Sequence, residues 1–302
     1  MFTFDSEQEI FEIGGVELGG QPGETPTAMV GSIFYKGDPV LEDPETGSFD
    51  EAAAEEAIHE VERLSEETGN PAILDVIGDT ADALIDHVEF VAEVCDLPMF
   101  VDGQTPRVRA KAAQYVGEVG LQDRAIHNSI ESSSKDVDVE IEAIREAEIE
   151  AAVLLSIDTG DLSLQGRLNA VEENLDVADR AGLTKPIIDP AILDIPDSGY
   201  IAKAIYEIKN EFGLPCGCSP HNEVIRWEMN DPLCPISKDL RQAVANSSIS
   251  FLGADFNLYG PVHGAPEMYE VVSTTDAYVA YAAQMGENRR PSTDHPLFNI
   301  FR

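Results

Sequence analysis

The chain has 302 residues, 43% of them hydrophobic, which is enough to fill one large core. No apolar stretch approaches the roughly 20 residues of a membrane span. Fifty-seven acids face nineteen bases, seven Lys and twelve Arg, for a net charge of −38, a field that excludes nucleic acid as a partner and favours no membrane surface.

Such a surplus of acid repels itself in dilute salt and stays hydrated where ions screen it, so the charge points to a salt-rich cytoplasm and a halophilic source. Residues Met1 to Gln8 carry no basic segment leading into an apolar core, and the expectation is a soluble cytoplasmic protein.

Residues 1–26 stand apart as an N-terminal extension. Within them "EIFEIGGVEL" (9–18) alternates apolar residues around Gly14 and Gly15, the signature of a hairpin with a two-residue turn. From residue 27 short apolar runs recur: 28–35, 72–78, 99–103, 124–130, 151–157, 186–190, 214–218 and 249–260.

Helix-period stretches lie between these runs. In 50–67, Ala54, Ile58, Val61 and Leu64 line one face, with Asp50 placed to cap the N-terminus. In 167–183, Leu168, Val171, Leu175 and Ala178 form a similar stripe, and 200–212 and 268–285 behave alike. Eight continuous apolar strands alternating with seven or eight helices predict a parallel sheet covered on both faces, closed as an α/β fold of the (β/α)8 TIM-barrel kind. An open doubly wound sheet is the rival, but "GGVELGGQPG" (14–23) follows a hairpin strand and opens no helix, so the dinucleotide fingerprint is missing. No linker divides the chain, and residues 1–302 read as a single domain.

Two connections are long, 36–48 after the first strand and 219–236 after the seventh. Both belong to the C-terminal face, where barrel enzymes keep their sites. The second carries Trp227, the only tryptophan, which reads as packing for a loop helix. Cys95, Cys216, Cys218 and Cys234 read as buried thiols, since Cys216-Gly-Cys218 is too tightly spaced for a zinc knuckle.

The strand ends carry the chemistry. Asp75 and Asp79 follow from strand 2, Asp102 ends strand 3 and Asn128 strand 4, and Asp158, Asp189 and Asn222 belong to strands 5, 6 and 7. Such a rim suits a flat, nitrogen-rich heterocycle, whose ring N–H and amino groups a carboxylate accepts in pairs; phosphate would want cations and helix N-termini. Each residue also has a plainer role. Asp79 reads as the N-cap of the next helix, Asp158 as part of a "DTGD" turn, Asp75 as a cap, Asn128 as a backbone partner and Asp189 as turn chemistry before Pro190. Their recurrence at successive strand ends favours a shared site. The six histidines show no metal-ligand spacing, although His127 and His221 both follow strands and could converge, and no metal is expected. No G-x-S-x-G elbow appears.

The segments "FEIGGVELGGQPGETPTAMVGSIFY", "FVDG", "DRAIHNSI", "IIDPAILDIP" and "GADFNLYGPV" resemble, in order and over residues 2–285, the H-subunit family of tetrahydromethanopterin S-methyltransferase. That family belongs to the pterin-binding barrels, with the methyltetrahydrofolate:corrinoid methyltransferases and dihydropteroate synthase. The resemblance implies methyl transfer between N5 of tetrahydrofolate or tetrahydromethanopterin and a corrinoid (cobalamin) carried by a partner protein, and it implies a homodimer. It assigns Asp102, Asn128 and Asp189 to the pterin ring, with Asp75 as an addition, and Asn222 to the reacting N5 as the catalytic amide. The dihydropteroate synthase alternative needs cations after strands 7 and 8, where this chain has Cys216-Gly-Cys218 and "FLGADFNLYG". A non-catalytic pterin-binding or corrinoid-docking protein, and a metal-dependent hydrolase, are the other readings. The chain has no D-x-H-x-x-G corrinoid motif of its own. Its tail, with Leu297, Phe298, Ile300 and Phe301, reads as cover for a barrel end or a contact between copies of the chain.

Overall fold

The computed structural model describes residues 3–230 and 237–301. Strands β1 (Ile10–Ile13) and β2 (Val16–Gly19) pair antiparallel as the predicted hairpin. Gly14 and Gly15 turn it with φ of 55° and 83°, the left-handed pair that a two-residue turn requires. Then follow β3 (Ala28–Ile33), a small hairpin of β4 (Leu41–Asp43) and β5 (Ser48–Phe49), and α1 (Glu51–Thr68). Alternation continues with β6 (Ala72–Gly78), α2 (Ala81–Val94), β7 (Met99–Gly103), α3 (Pro106–Val119), β8 (Ala125–Ile130), α4 (Val137–Glu146), β9 (Ala151–Leu155) and α5 (Leu164–Ala181). The last units are β10 (Lys185–Asp189), α6 (Ser198–Phe212), β11 (Gly217–Cys218), α7 (His221–Asn230), α8 (Lys238–Phe251), β12 (Phe256–Pro261), α9 (Ala265–Glu287) and α10 (Pro296–Asn299).

Eight strands form one sheet in the order β10-β9-β8-β7-β6-β3-β12-β11, every neighbouring pair parallel. A further parallel bridge between Ile188 and Cys216 joins its two outer strands. The sheet therefore closes on itself, and the edges that an open sheet would expose are gone.

The eighth strand departs from expectation. The run 249–260 merges two elements: Ile249 to Phe251 finish α8, and the strand begins at Phe256. Gly253, at φ 97°, makes the break. An unbroken apolar run carries no sign of where a helix hands over to a strand.

Side-chain alternation divides the barrel into two layers. Outward residues such as Met29, Leu74, Val101, Leu154 and Ile188 meet the surrounding helices. The α1 face of Ala54, Ile58, Val61 and Leu64 is buried there, and the Asp50 carboxylate accepts from the Ala53 N–H at 3.1 Å. On α5, Leu168, Val171 and Ala178 are buried and Leu175 packs partly exposed against the same core.

Inward residues Val30, Ile73, Phe100, Ile126, Val153, Ile187 and Phe256 form a second cluster, which Ile13, Val16 and Leu18 of the hairpin complete. The hairpin is thus a plug. Its turn reaches the N-terminal ends of β7 and β8, where the Gly14 N–H donates to the Asp123 carbonyl at 3.1 Å. Side chains of this size gain about 1.5–3 kcal/mol each on full burial. Beside the plug, Lys209 and Asp255 form a buried ion pair, and Lys209 also donates to the Gly20 carbonyl at 3.1 Å.

Candidate functional site

The same alternation fixes what faces the open end. One step beyond the buried inner layer come Ser32 on β3, Asp75 and Ile77 on β6, Asp102 on β7, Asn128 on β8, Leu155 on β9, Asp189 on β10 and Leu258 on β12. Ser32, Ile77, Asp102, Asn128, Leu155 and Leu258 all keep part of their surface, whereas the layer below them is sealed. The C-terminal end of the barrel is therefore a recess with an apolar floor and a rim of acids and one amide.

Asp75, Asp102, Asn128 and Asp189 converge on this recess. In register, Asp75 lies beside Ser32, Asp102 beside Ile77 and Asn128, and Asp189 beside Leu155. Ser32 Oγ donates to Asp75 Oδ2 at 2.7 Å, and Asn128 Nδ2 donates to Asp75 Oδ1 at 3.3 Å. β6 and β10 stand four places apart around the eight-strand ring, so Asp189 faces the Asp75 cluster from the opposite wall.

Burial raises the Asp75 carboxyl to about 6, against the pull of the Ser32 and Asn128 hydrogen bonds. It raises Asp189 to about 7, against the Ala191 N–H and the Arg167 charge. Asp102 is pushed well above the ordinary range by burial and by the neighbouring Asp75, with Arg109 opposing. A carboxylate is held here only at a cost in free energy, which donors on a bound molecule would recover.

Asp189 serves a turn as well as the recess. Its Oδ1 accepts from the Ala191 N–H at 2.7 Å, and Ala191 sits at φ 58°. Buried Arg167 on α5 holds this turn from behind, donating to the carbonyls of Pro190 and, at 3.2 Å, Ala191. Asn222 takes a different position: it is exposed in the first turn of α7, beyond β11, with its N–H donating to the Ser219 carbonyl at 3.3 Å.

Other expectations change. Thr80, not Asp79, caps α2, its hydroxyl accepting from the Ala83 N–H at 3.2 Å; Asp79 lies one residue before the cap position and accepts from Gln104 Nε2 at 2.9 Å. Asp75 caps no helix. Asp158 does make its turn, accepting from the Gly160 N–H at 2.7 Å.

His127 and His221 do not converge. His127 Nε2 lies 2.9 Å from Glu140 Oε1, outside the barrel wall. His221 Nδ1 lies 2.6 Å from Gln242 Nε2, and burial, helped by Lys238, lowers that imidazole to about 4. Trp227 packs as a loop-helix side chain, with the Arg241 guanidinium 4.4 Å from its ring centre. Cys95, Cys216 and Cys218 are buried free thiols, and Cys234, with the rest of 231–236, lies outside the described residues. Among the described residues no group of three or more His, Cys, Asp or Glu could hold a metal ion.

Sequence reasoning missed Ser32, Leu155 and Leu258. Strand parity could have found them, since each keeps step with an inward neighbour two residues earlier. Arg167, Arg109 and Glu140 left no such sign, because Arg167 holds Pro190, 23 residues on, and Arg109 holds Glu140, 31 residues on.

A closed ring of eight parallel strands with a polar recess at its C-terminal end defines a (β/α)8-barrel enzyme. Its fold matches that of dihydropteroate synthases. The Xanthomonas albilineans protein, solved with 4-aminobenzoic acid, superposes with a TM-score of 0.60 over 93% of this chain and 99% of that one, at 16% identity. The Yersinia pestis protein does so at 0.63 over 90% and 98%, at 14% identity. The family profile of the tetrahydromethanopterin S-methyltransferase MtrH subunit matches residues 6–288. The H subunit of that enzyme from Methanothermobacter thermautotrophicus is 33% identical, over 99% of this chain and all of the relative. The H subunit of the putative methyltransferase mtx from Methanosarcina barkeri is 37% identical, over 98% and 99%. The chain belongs to the MtrH family and is a methyltransferase.

Proposed function

We propose that the chain moves a methyl group between N5 of a tetrahydropterin and a corrinoid carried on a partner protein, with the pterin held in the barrel mouth. The observation that carries this reading is the convergence of Asp75, Asp102, Asn128 and Asp189 on one recess with an apolar floor. The donor set fits a reduced pterin. Its pyrimidine edge presents ring N–H and amino donors, which the carboxylates accept, and a carbonyl, to which an amide donates. The apolar side chains of Leu155 and Leu258 suit the ring faces.

The nitrogen is a poor leaving group, so the methyl departs more easily when N5 receives a hydrogen bond or a proton as the C–N bond breaks. Asn222, on the loop helix at the rim, is assigned that contact. The corrinoid supplies a strong nucleophile as methyl acceptor, or the methyl itself in the reverse direction. The barrel's share is orientation, which is worth several kcal/mol when the reacting atoms are held in line. Tetrahydromethanopterin and tetrahydrofolate share this edge.

The same reading takes 1–302 as one working domain in the cytoplasm; among the described residues no helix is long and apolar enough to cross a membrane. It also takes the chain as a homodimer through α8 and α9, where Leu240, Val244, Tyr278, Tyr281 and Met285 are exposed. Charge supports that face. The groove between these helices has Glu270 as its one charged lining residue among the described residues, so it is where two chains at −38 could approach.

Titration with each tetrahydropterin, followed by methyl transfer to a corrinoid protein read from the corrinoid's visible spectrum, tests the function. Asn222→Ala is expected to lower turnover by about tenfold or more while changing pterin affinity much less. Binding without turnover for every corrinoid protein supplied would support a carrier instead. Undiminished turnover in the variant would remove Asn222 from the reaction.

A further inference from the structure

Two of the residues assigned to the pterin ring are gripped from behind through one carboxylate. Glu140, on α4, is fully buried outside the barrel wall. Its Oε1 accepts from Arg109 Nε at 2.7 Å and from His127 Nε2 at 2.9 Å. His127 is the chain neighbour of Asn128. Arg109 Nη1 in turn donates to the Gly103 carbonyl at 2.7 Å, and Gly103 is the chain neighbour of Asp102. The ends of β7 and β8, which present Asp102 and Asn128 side by side, are thus tied to a single oxygen atom.

We infer that Glu140 and Arg109 are positioning residues, a clamp that fixes the spacing of Asp102 and Asn128 and so the seat of the pterin edge. The inference rests on the function proposed above.

The chemistry of the clamp is internally consistent. Burial opposes the charge on Glu140, but the hydrogen bonds from His127 and Arg109, with the Arg109 charge, outweigh it and hold the carboxyl below its ordinary range. Burial lowers His127 despite its acidic partner, so it serves as a neutral donor through Nε2–H. Glu140 Oε2 and His127 Nδ1 are buried without hydrogen-bond partners. That cost marks the arrangement as more than routine packing, since an apolar contact between α3, α4 and the wall would avoid it. Gly103 allows the close approach. A Cβ there would lie 2.8 Å from the Arg109 and Val108 side chains.

The test has a ligand-free part and a binding part. In the absence of pterin, Glu140→Ala is expected to speed amide hydrogen exchange about tenfold or more at Gly103 and Ser129, with no change at Ala191 on the far wall. Equal protection at all three positions would overturn the clamp. With tetrahydropterin, Glu140→Ala is expected to weaken binding about tenfold, and Glu140→Gln, which keeps an acceptor of the same shape, to restore most of it. In the Asp102→Asn background the Glu140→Ala loss should shrink to under about threefold, because the two act through one contact. A loss that adds in full would overturn the inference. Arg109→Lys gives the same cycle should Glu140→Ala fail to fold. A wild-type chain that binds neither tetrahydropterin would defeat the proposed function, while the exchange measurement would still decide the clamp.

Discussion

Replacing Asp189 by Asn separates a residue kept for binding from one kept for stability. The side chain is 9% exposed, and burial raises its carboxyl from 3.8 to about 7. Between those values the folded chain holds a proton that the unfolded chain has lost. Stability attributable to this group therefore falls as pH rises through the window, and the loss is complete above about pH 7. At 1.36 kcal/mol per pH unit the difference is worth about 4 kcal/mol at most.

Asn has the same shape, keeps an oxygen for the Ala191 N–H that Asp189 now satisfies at 2.7 Å, and does not titrate. Asp189→Asn should match the wild type in urea unfolding near pH 4 and exceed it by up to about 4 kcal/mol at pH 8. Tetrahydropterin affinity should move the other way. An amide turned toward a ring N–H loses the charged acceptor, and binding at pH 8 should weaken by about tenfold or more. A variant less stable than the wild type at pH 8, or one binding pterin equally well, would show that the carboxylate serves the turn and not the ligand.

Further outcomes follow from other parts of the barrel. Lys209→Met strands the Asp255 carboxylate among buried groups and should cost about 3–5 kcal/mol in chemical unfolding, much of which the added change Asp255→Leu should return. Gly260 has φ 103°, and a Cβ there would meet His221 Nδ1 at 2.3 Å. Gly260→Ala should displace His221 and its neighbour Asn222, lowering methyl transfer more than pterin binding at a stability cost of about 1–3 kcal/mol. Raising KCl from about 0.01 M to 1 M shortens the screening length from about 30 Å to 3 Å. With 57 acids against 19 bases, the melting temperature should climb over that range, and a flat or falling response would sever the charge from any adaptation to salt.

Periodicity carried most of the fold. The hairpin turn at Gly14-Gly15, the buried face of α1 and seven of the eight barrel strands follow from local pattern, because parity and the 3.6-residue repeat are properties of neighbouring residues. Strand 8 blurred where Gly253 divides one apolar run into helix and strand. Thr80 displaced Asp79 as a cap because α2 starts at Ala81, a one-residue shift that local pattern does not resolve. The site divides along the same line. The placement of Asp102, Asn128 and Asp189 was legible because each lies within two residues of a strand's C-terminal end. The Lys209–Asp255 pair and the Arg109–Glu140–His127 group were not, since nothing local to one partner names the other.

The acids of this chain consequently belong to two populations that composition cannot tell apart. Glu51 and Glu67 on α1 face water, and charges of that kind are solvated whatever the chain does. Asp75, Asp102 and Asp189 face inward at the one level of the barrel where the apolar filling stops, and burial drives each carboxyl upward. Hydration of the surface could be met with acids anywhere on the outer helices, but it supplies no reason to turn three of them into the barrel. A selective reason has to come from something that offers donors at that depth. Solvent alone would be served as well by serine or asparagine, at far smaller cost in burial. Under the proposed function, the inward carboxylates are the part of the −38 that would report on the ligand.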